Sequence, residues 1–210
     1  FKTFIIMGKV KVKKADVWID MTPMSDVMVL LLTFFMLTST FVKNEAVKVV
    51  TPGSVSEIKV PENNVLTLLC DKEGRIFVGM DTPKKMEDLI SGMASQYSVN
   101  LTKKQLENGR GAATIGVSMQ DLTSCLDLGD KMNEYMAGKG IPTDSIDGKQ
   151  SQFQDWVQTA RDNNGPDMKI AIKADAGTPY KVIKKMMSEL QDMSENRYYL
   201  ITALKSNSEE

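Results

Sequence analysis

The chain has 210 residues, with 26 lysines and arginines against 27 aspartates and glutamates, two cysteines and no histidine. A formal net charge of -1 excludes a protein that binds nucleic acid through bulk charge, and two cysteines exclude a disulfide framework, leaving either one bridge or two inert thiols at Cys70 and Cys125. Without histidine the commonest general base and metal ligand near neutral pH is missing, so any proton chemistry falls to carboxylates, lysines or tyrosines.

Residues 1–20 form a basic head, with Lys2, Lys9, Lys11, Lys13 and Lys14 against Asp16 and Asp20. The sequence begins at Phe1 rather than Met, so further N-terminal residues are expected. Val27 to Val42 then carries no charge, and at 1.5 Å per residue spans about 24 Å. Extended back to Met21 it reaches about 33 Å, enough for a hydrocarbon core of roughly 30 Å, with Asp26 as its single charge. A cleavable signal peptide is the rival reading, but no small-x-small site follows and an acid inside the run is unusual for one. A buried helix is the other rival, but the run is apolar on nearly every side and the chain offers little core to hide it. Residues 21–42 are therefore predicted as a transmembrane helix. Lys9, Lys11, Lys13 and Lys14 precede it and the mixed Lys43, Glu45 and Lys48 follow, which predicts a cytoplasmic N-terminus.

Thr22 is placed to cap this helix and Pro23 to occupy its first turn, where a missing N–H costs nothing. Asp26, Leu30, Thr33, Leu37 and Thr40 recur at spacings of four and three, setting a carboxylate and two hydroxyls on one stripe. An ionised carboxylate in hydrocarbon is costly, so such a residue normally faces protein or water, and burial favours its protonated form. A carboxyl that loads a proton from one side and releases it to the other changes charge, and with it the preferred seat of the helix among its neighbours. The alternative is an interfacial Asp26 that caps the helix or reaches the headgroups.

Residues 43–64 read as a linker with Pro52, Gly53 and Pro61, in which Val47 to Val50 alternates like an edge strand; a spacer that only sets the height of the next domain is the other reading. Residues 65–210 read as a compact α/β domain. Val65 to Cys70 and Arg75 to Val78 are short β runs joined by the turn residues Asp71 to Gly74, a hairpin. Thr82 and Pro83 predict a cap and first helical residue, followed by Met86, Leu89, Ile90 and Met93 at helical spacing. Ala94 to Pro166 reads as a helical insertion. Within it Lys103 to Asn108 is a short helix, Asn108 to Gly111 a flexible turn, 119–137 a helical stretch weakened at Gly129, and Phe153, Trp156 and Val157 a helix stopped by Asn163 to Pro166. It either covers an exposed surface or docks a partner. Met168 to Ile172 predicts a strand, Gly177 a break, Thr178 and Pro179 a cap and first turn, and Val182, Ile183, Met186, Met187 and Leu190 an apolar helix face. Tyr198 to Leu204 is a final strand. The likeness of the two strand–helix pieces leaves an internal repeat open. Lys181, Lys184 and Lys185 form a solvated basic side. The spacing shows no zinc or calcium site, no phosphate loop and no nucleophile constellation, so no metal, cofactor or enzymatic activity is expected.

The stretch "IDMTPMSDVMVLLLTFFMLT" resembles the start of ExbD/TolR-type proteins, the single-span subunits of bacterial ion-driven energy-transducing complexes. Ile19, Asp20, Met21, Thr22, Pro23 and Asp26 fall in that family's register, with Asp20 where members often carry Asn. Supporting resemblance comes from "NVLTLLCDKEGRIFVGMDTPKKMEDLISGM" and from "MKIAIKADAGTPYKVIKKMMSELQD", where Lys173-Ala174-Asp175 lies near a recurring Arg/Lys-Ala-Asp. The resemblance implies a single-pass transmembrane α-helix in the inner membrane and a C-terminal periplasmic α/β (α+β) domain with a helical insertion at about 94–166. It implies that Asp26 is the ion-translocating carboxylate and that Thr33 lies in the part of the helix facing the channel lining. The implied partners are an ExbB-like polytopic membrane protein, a TonB-like protein and a second ExbD-like copy as a dimer, with no nucleic acid. The implied function is a proton-conducting, force-transducing subunit that uses the proton motive force to energise TonB-dependent outer-membrane transport. A stator subunit of a Tol-type or gliding motor, or a non-conducting anchored binding protein, is the alternative.

Overall fold

A computed structural model describes residues 20–38, 46–54, 61, 63–144 and 150–204. The chain divides into two compact units, Phe1–Val42 and Lys43–Glu210. The first contains helix α1 (Thr22–Thr38), apolar on all sides and with no residue buried within the chain. Residues 1–19 and 39–45, and with them most of the basic head and Thr40 of the predicted stripe, lie outside the described residues.

The second unit is a mixed α+β domain. Its strands and helices are β1 (Gly53–Ser54), β2 (Val65–Cys70), β3 (Ile76–Met80), α2 (Pro83–Gln96), α3 (Lys103–Gly111), α4 (Leu122–Asp127), a 3-10 turn (Gly129–Lys131) and α5 (Met132–Met136). Then follow α6 (Gln152–Asn164), β4 (Lys169–Ala174), α7 (Tyr180–Asp192), β5 (Tyr198–Leu200) and β6 (Ala203–Leu204). Four strands form one sheet in the order β3-β2-β4-β5, and β1 pairs with β6 in a separate short ladder. β2 and β3 are the predicted antiparallel hairpin, whereas β4 lies parallel to β2 and β5 parallel to β4.

Register explains the core. Leu68 stands opposite Val78 and Ile172, and Cys70 opposite Ile76 and Ala174, so apolar side chains from three strands share one face. The helices add Met86, Leu89, Ile90 and Met93 from α2, Phe153, Trp156 and Val157 from α6, and Met186 and Leu190 from α7, all essentially without solvent exposure. Truncating a buried Phe or Trp to Ala typically costs about 3–5 kcal/mol, so Phe77, Phe153 and Trp156 are the largest single contributors. Helix starts follow local capping chemistry. Thr82 accepts from the Lys85 amide with Pro83 in the first turn, and Thr102 with Gln105 and Ser151 with Gln154 form full capping boxes.

The stretch from Ala94 to Pro166 shares the core of the sheet. Ile115 exchanges two 2.7 Å backbone hydrogen bonds with Val78, covering part of the outer side of β3, and Ile115, Val117, Leu122 and Leu126 are fully buried. Gly116 lies so close to the Phe77 ring that an added Cβ would stand 2.0 Å from it, which is why this crossing needs glycine.

Several expectations are corrected. Asn108 to Gly111 is helical rather than a flexible turn, because α3 continues to Gly111 and packs through Gly109: a Cβ there would lie 2.5 Å from Ile90 Cδ1. Asn108 Nδ2 donates to the Leu126 carbonyl, so its side chain ties α3 to α4. α7 starts at Tyr180, with Pro179 at the cap position, because the Thr178 hydroxyl donates to the Asp71 carbonyl instead of capping. The likeness of the two strand–helix pieces therefore stops at their caps. Val47 to Val50 forms no strand; the Val50 amide donates to Asp175 Oδ2 and its carbonyl accepts from Ala176 N, both at 2.9 Å, which docks the segment on its own domain. Tyr198 to Leu204 is two strands rather than one, since the Ile201 amide still reaches the Ile172 carbonyl while Ala203 turns to Pro52. The β3 and β4 boundaries lie one or two residues later than expected, at Ile76–Met80 and Lys169–Ala174.

Candidate functional site

α1 begins at Thr22 with Pro23 next, and the capping group is the Asp20 carboxylate. Asp20 Oδ1 accepts from the Thr22 hydroxyl at 2.6 Å and from the Thr22 amide at 3.0 Å, bonds that hold this carboxyl below its usual value. Thr22 therefore donates to a cap rather than being one. The signal was present in the sequence: an aspartate two residues before a helical amide forms an Asx-type turn.

Asp26 sits in the second turn and is the single charged residue of α1, exposed on the surface of the chain. Thr33 lies seven positions further on, about 20° away around the axis and about 10.5 Å along it. That gap is too long for a direct proton transfer, so a relay between them needs water or a group from another subunit. The Thr33 hydroxyl donates to the Val29 and Leu30 carbonyls at 3.0 Å, and the Ser25 and Thr38 hydroxyls likewise donate to carbonyls four residues back. Their donors are committed to the helix, and the oxygens remain as acceptors facing outward. Leu30 and Leu37 lie on the same stripe, whose polar members among the described residues are Asp26 and Thr33. No helix among the described residues is long and apolar enough to cross a membrane; the described part of α1 is 17 residues, about 25 Å, and stops at Thr38.

In the second unit two carboxylates organise the end of the sheet where β2 and β4 finish. Asp71 is buried, accepts from the Glu73 and Arg75 amides at 2.9 Å, and pairs with the Arg75 guanidinium at 2.6 Å, closing the β2–β3 hairpin. Asp175 accepts from the Gly177 amide and the Val50 amide, both at 2.9 Å, and these two bonds hold its carboxyl below the ordinary range. The Lys173-Ala174-Asp175 triplet thus ends in the residue that fastens the segment following α1 to the domain, a role the sequence reading did not assign.

Cys70 and Cys125 are free and buried, and burial pushes their thiols up to about 11 and about 12. Among the described residues no group of three or more acidic or cysteine side chains could hold a metal ion.

Comparison with curated proteins finds no match, and comparison with solved structures finds none either. The family model described as biopolymer transport protein ExbD/TolR matches residues 13–204 of the 210, from the basic head through α1 and the domain, the 94–166 stretch included. The chain belongs to the ExbD/TolR family of biopolymer transport proteins, whose members are non-catalytic subunits of membrane motors.

Proposed function

We propose that residues 21–42 span the inner membrane, with the N-terminus in the cytoplasm and residues 43–210 in the periplasm, and that Asp26 binds and releases the translocated proton. The carrying observation is a lone carboxylate in an otherwise uncharged apolar helix of an ExbD/TolR chain. The stripe of Asp26 and Thr33 faces a polytopic ExbB-like partner, which supplies the remaining polar groups and shields the carboxylate from lipid. Protonation removes the Asp26 charge and deprotonation restores it, so each proton passage alternates two preferred positions of the helix in its ring. A second copy of the chain completes the unit. The periplasmic domain passes the motion to a TonB-like protein and so to outer-membrane transporters.

The test is Asp26→Asn, which keeps size and hydrogen bonding but abolishes the titration, in cells carrying no other copy. TonB-dependent uptake should fall to the unenergised background, while copurification with the polytopic partner is kept. Full uptake by the variant would overturn the ion-site role. Uptake by the parent protein that is lost in a proton gradient but kept in a sodium gradient would reassign the ion.

A further inference from the structure

A cleft of about 450 Å³ opens between the end of α6 and the start of β5, away from α1 in sequence and unrelated to the proposed ion site. Its inner wall is internally neutralised. Arg161 pairs with Glu195 through both carboxylate oxygens and also donates to the Pro166 and Met168 carbonyls at 3.0 and 2.7 Å, so its guanidinium is fully committed. The rim is different. Lys169 and Arg197 are exposed, and their side chains make no ion pair or hydrogen bond with another described residue. The parallel register begins with Ile170 opposite Tyr198, and Lys169 and Arg197, the residues just before these two, line the same cleft together with Tyr199. Two cations lining one cleft repel each other and favour an anion between them. Asp167, the acidic residue on the same rim, pairs with neither.

We propose that this cleft is a docking site for an acidic peptide segment of a partner protein, with a carboxylate side chain held between Lys169 and Arg197. The guanidinium fork suits a carboxylate, and the lysine adds a second charge-assisted contact. The mixed lining selects a peptide over a bare oxyanion. A phosphate meets Asp167 as a like charge, whereas a peptide offers backbone N–H groups to Asp167 and its own carboxylate to the cations. The volume holds a few residues, within the range of ordinary ligand sites. The chain's net charge of -1 gives polyanions no general attraction that would mimic the site.

The test uses the full chain in neutral detergent micelles and a fluorescein-labelled hexaglutamate peptide, read by fluorescence anisotropy at low ionic strength. Lys169→Gln and Arg197→Gln should each weaken binding severalfold and the double variant about tenfold or more, as loss of charge-assisted contacts implies. Lys184→Gln, on the exposed basic side of α7, should leave affinity unchanged. Both rim side chains are exposed, so the thermal midpoint should not move, which separates lost binding from lost fold. The proposal is overturned by no binding, by equal binding of a hexaglutamine control, or by an equal loss with Lys184→Gln. It is also overturned if inorganic phosphate or anionic lipid vesicles displace the peptide at matched charge, because the site is then a general oxyanion site.

Discussion

Gly109→Ala sets two physical effects of opposite sign against each other. In a flexible turn, as the Asn108 to Gly111 sequence suggests, the alanine would be neutral or slightly stabilising through the unfolded state. In the interior of an exposed helix it would stabilise by up to about 1 kcal/mol. Gly109 is in α3 but is buried, and its missing side chain is the contact surface for Ile90 and Leu126. A Cβ would stand 2.5 Å from Ile90 Cδ1 and 3.2 Å from Leu126 Cδ2. Ile90 and Leu126 are themselves fully buried, so neither has free space to swing into. Overpacking of this kind costs about 1–3 kcal/mol, and after subtracting a propensity gain of about 1 kcal/mol the net loss is about 0–2 kcal/mol. Gly111, two residues on, has nothing within 4 Å of an added Cβ, so Gly111→Ala should raise stability by a few tenths of a kcal/mol, up to about 1. Urea unfolding of the full chain, followed through the emission of buried Trp156, reads both. With a slope of about 2 kcal/mol/M the Gly109 variant should lose up to about 1 M in midpoint, while the Gly111 variant gains. A midpoint that rises for Gly109→Ala, or falls equally for both variants, would refute the packing role of Gly109.

Glu189 carries a pH dependence. It is buried on α7, and desolvation raises its carboxyl above the ordinary value, against the Ser151 hydroxyl that donates to it at 2.6 Å; Lys185 lowers it and Asp144 and Asp192 raise it. The folded protein then keeps this proton to a pH at which the unfolded chain has released it. Stability falls as pH rises from the unfolded glutamate value, about 4.3, through the raised folded value. Glu189→Gln, whose amide oxygen still accepts from Ser151, should therefore gain on the parent protein as pH rises above about 4.3, and a gap between their urea midpoints that ignores pH would count against the assignment. Cys70 and Cys125, with thiols pushed up to about 11 and about 12, should resist a thiol-reactive dye at about pH 8 in the folded protein and both react after unfolding; rapid labelling of either in native conditions would show that its burial is not maintained.

What the sequence revealed was governed by contacts close along the chain. The β2–β3 hairpin follows from two β runs around Asp71 to Gly74, and the start of α2 from Thr82 and Pro83, because turn and cap chemistry act within a few residues. The failures came where a distant partner captured a group with a local use. Thr178 looks like Thr82 in sequence, yet its hydroxyl is drawn to the Asp71 carbonyl 107 positions away. Gly109 reads as a turn former until Ile90 and Leu126 are seen to fill the space of its side chain. Val47 to Val50 has the alternation of a strand, but Asp175 and Ala176 take its backbone groups. Asp26 is the opposite case: its place in an apolar run is legible from sequence, and in the structure it stays exposed, with no long-range contact among the described residues to redirect it.

The docking of Val50 fixes how tension along the backbone would enter the second unit. A pull transmitted from α1 along the backbone meets the packed side chains of Ala46, Val47 and Val49 and the two hydrogen bonds of Val50 before it reaches β2 at Val65. The short β1–β6 ladder stands second in this series. These contacts are few and peripheral, whereas the sheet behind them is held by full ladders and the core. They yield first, like a fuse ahead of a load. With them open, the chain from Val50 to Val65 would reach at most about 50 Å when fully extended. A load of this kind would therefore fall first on the contact between Val50 and Asp175.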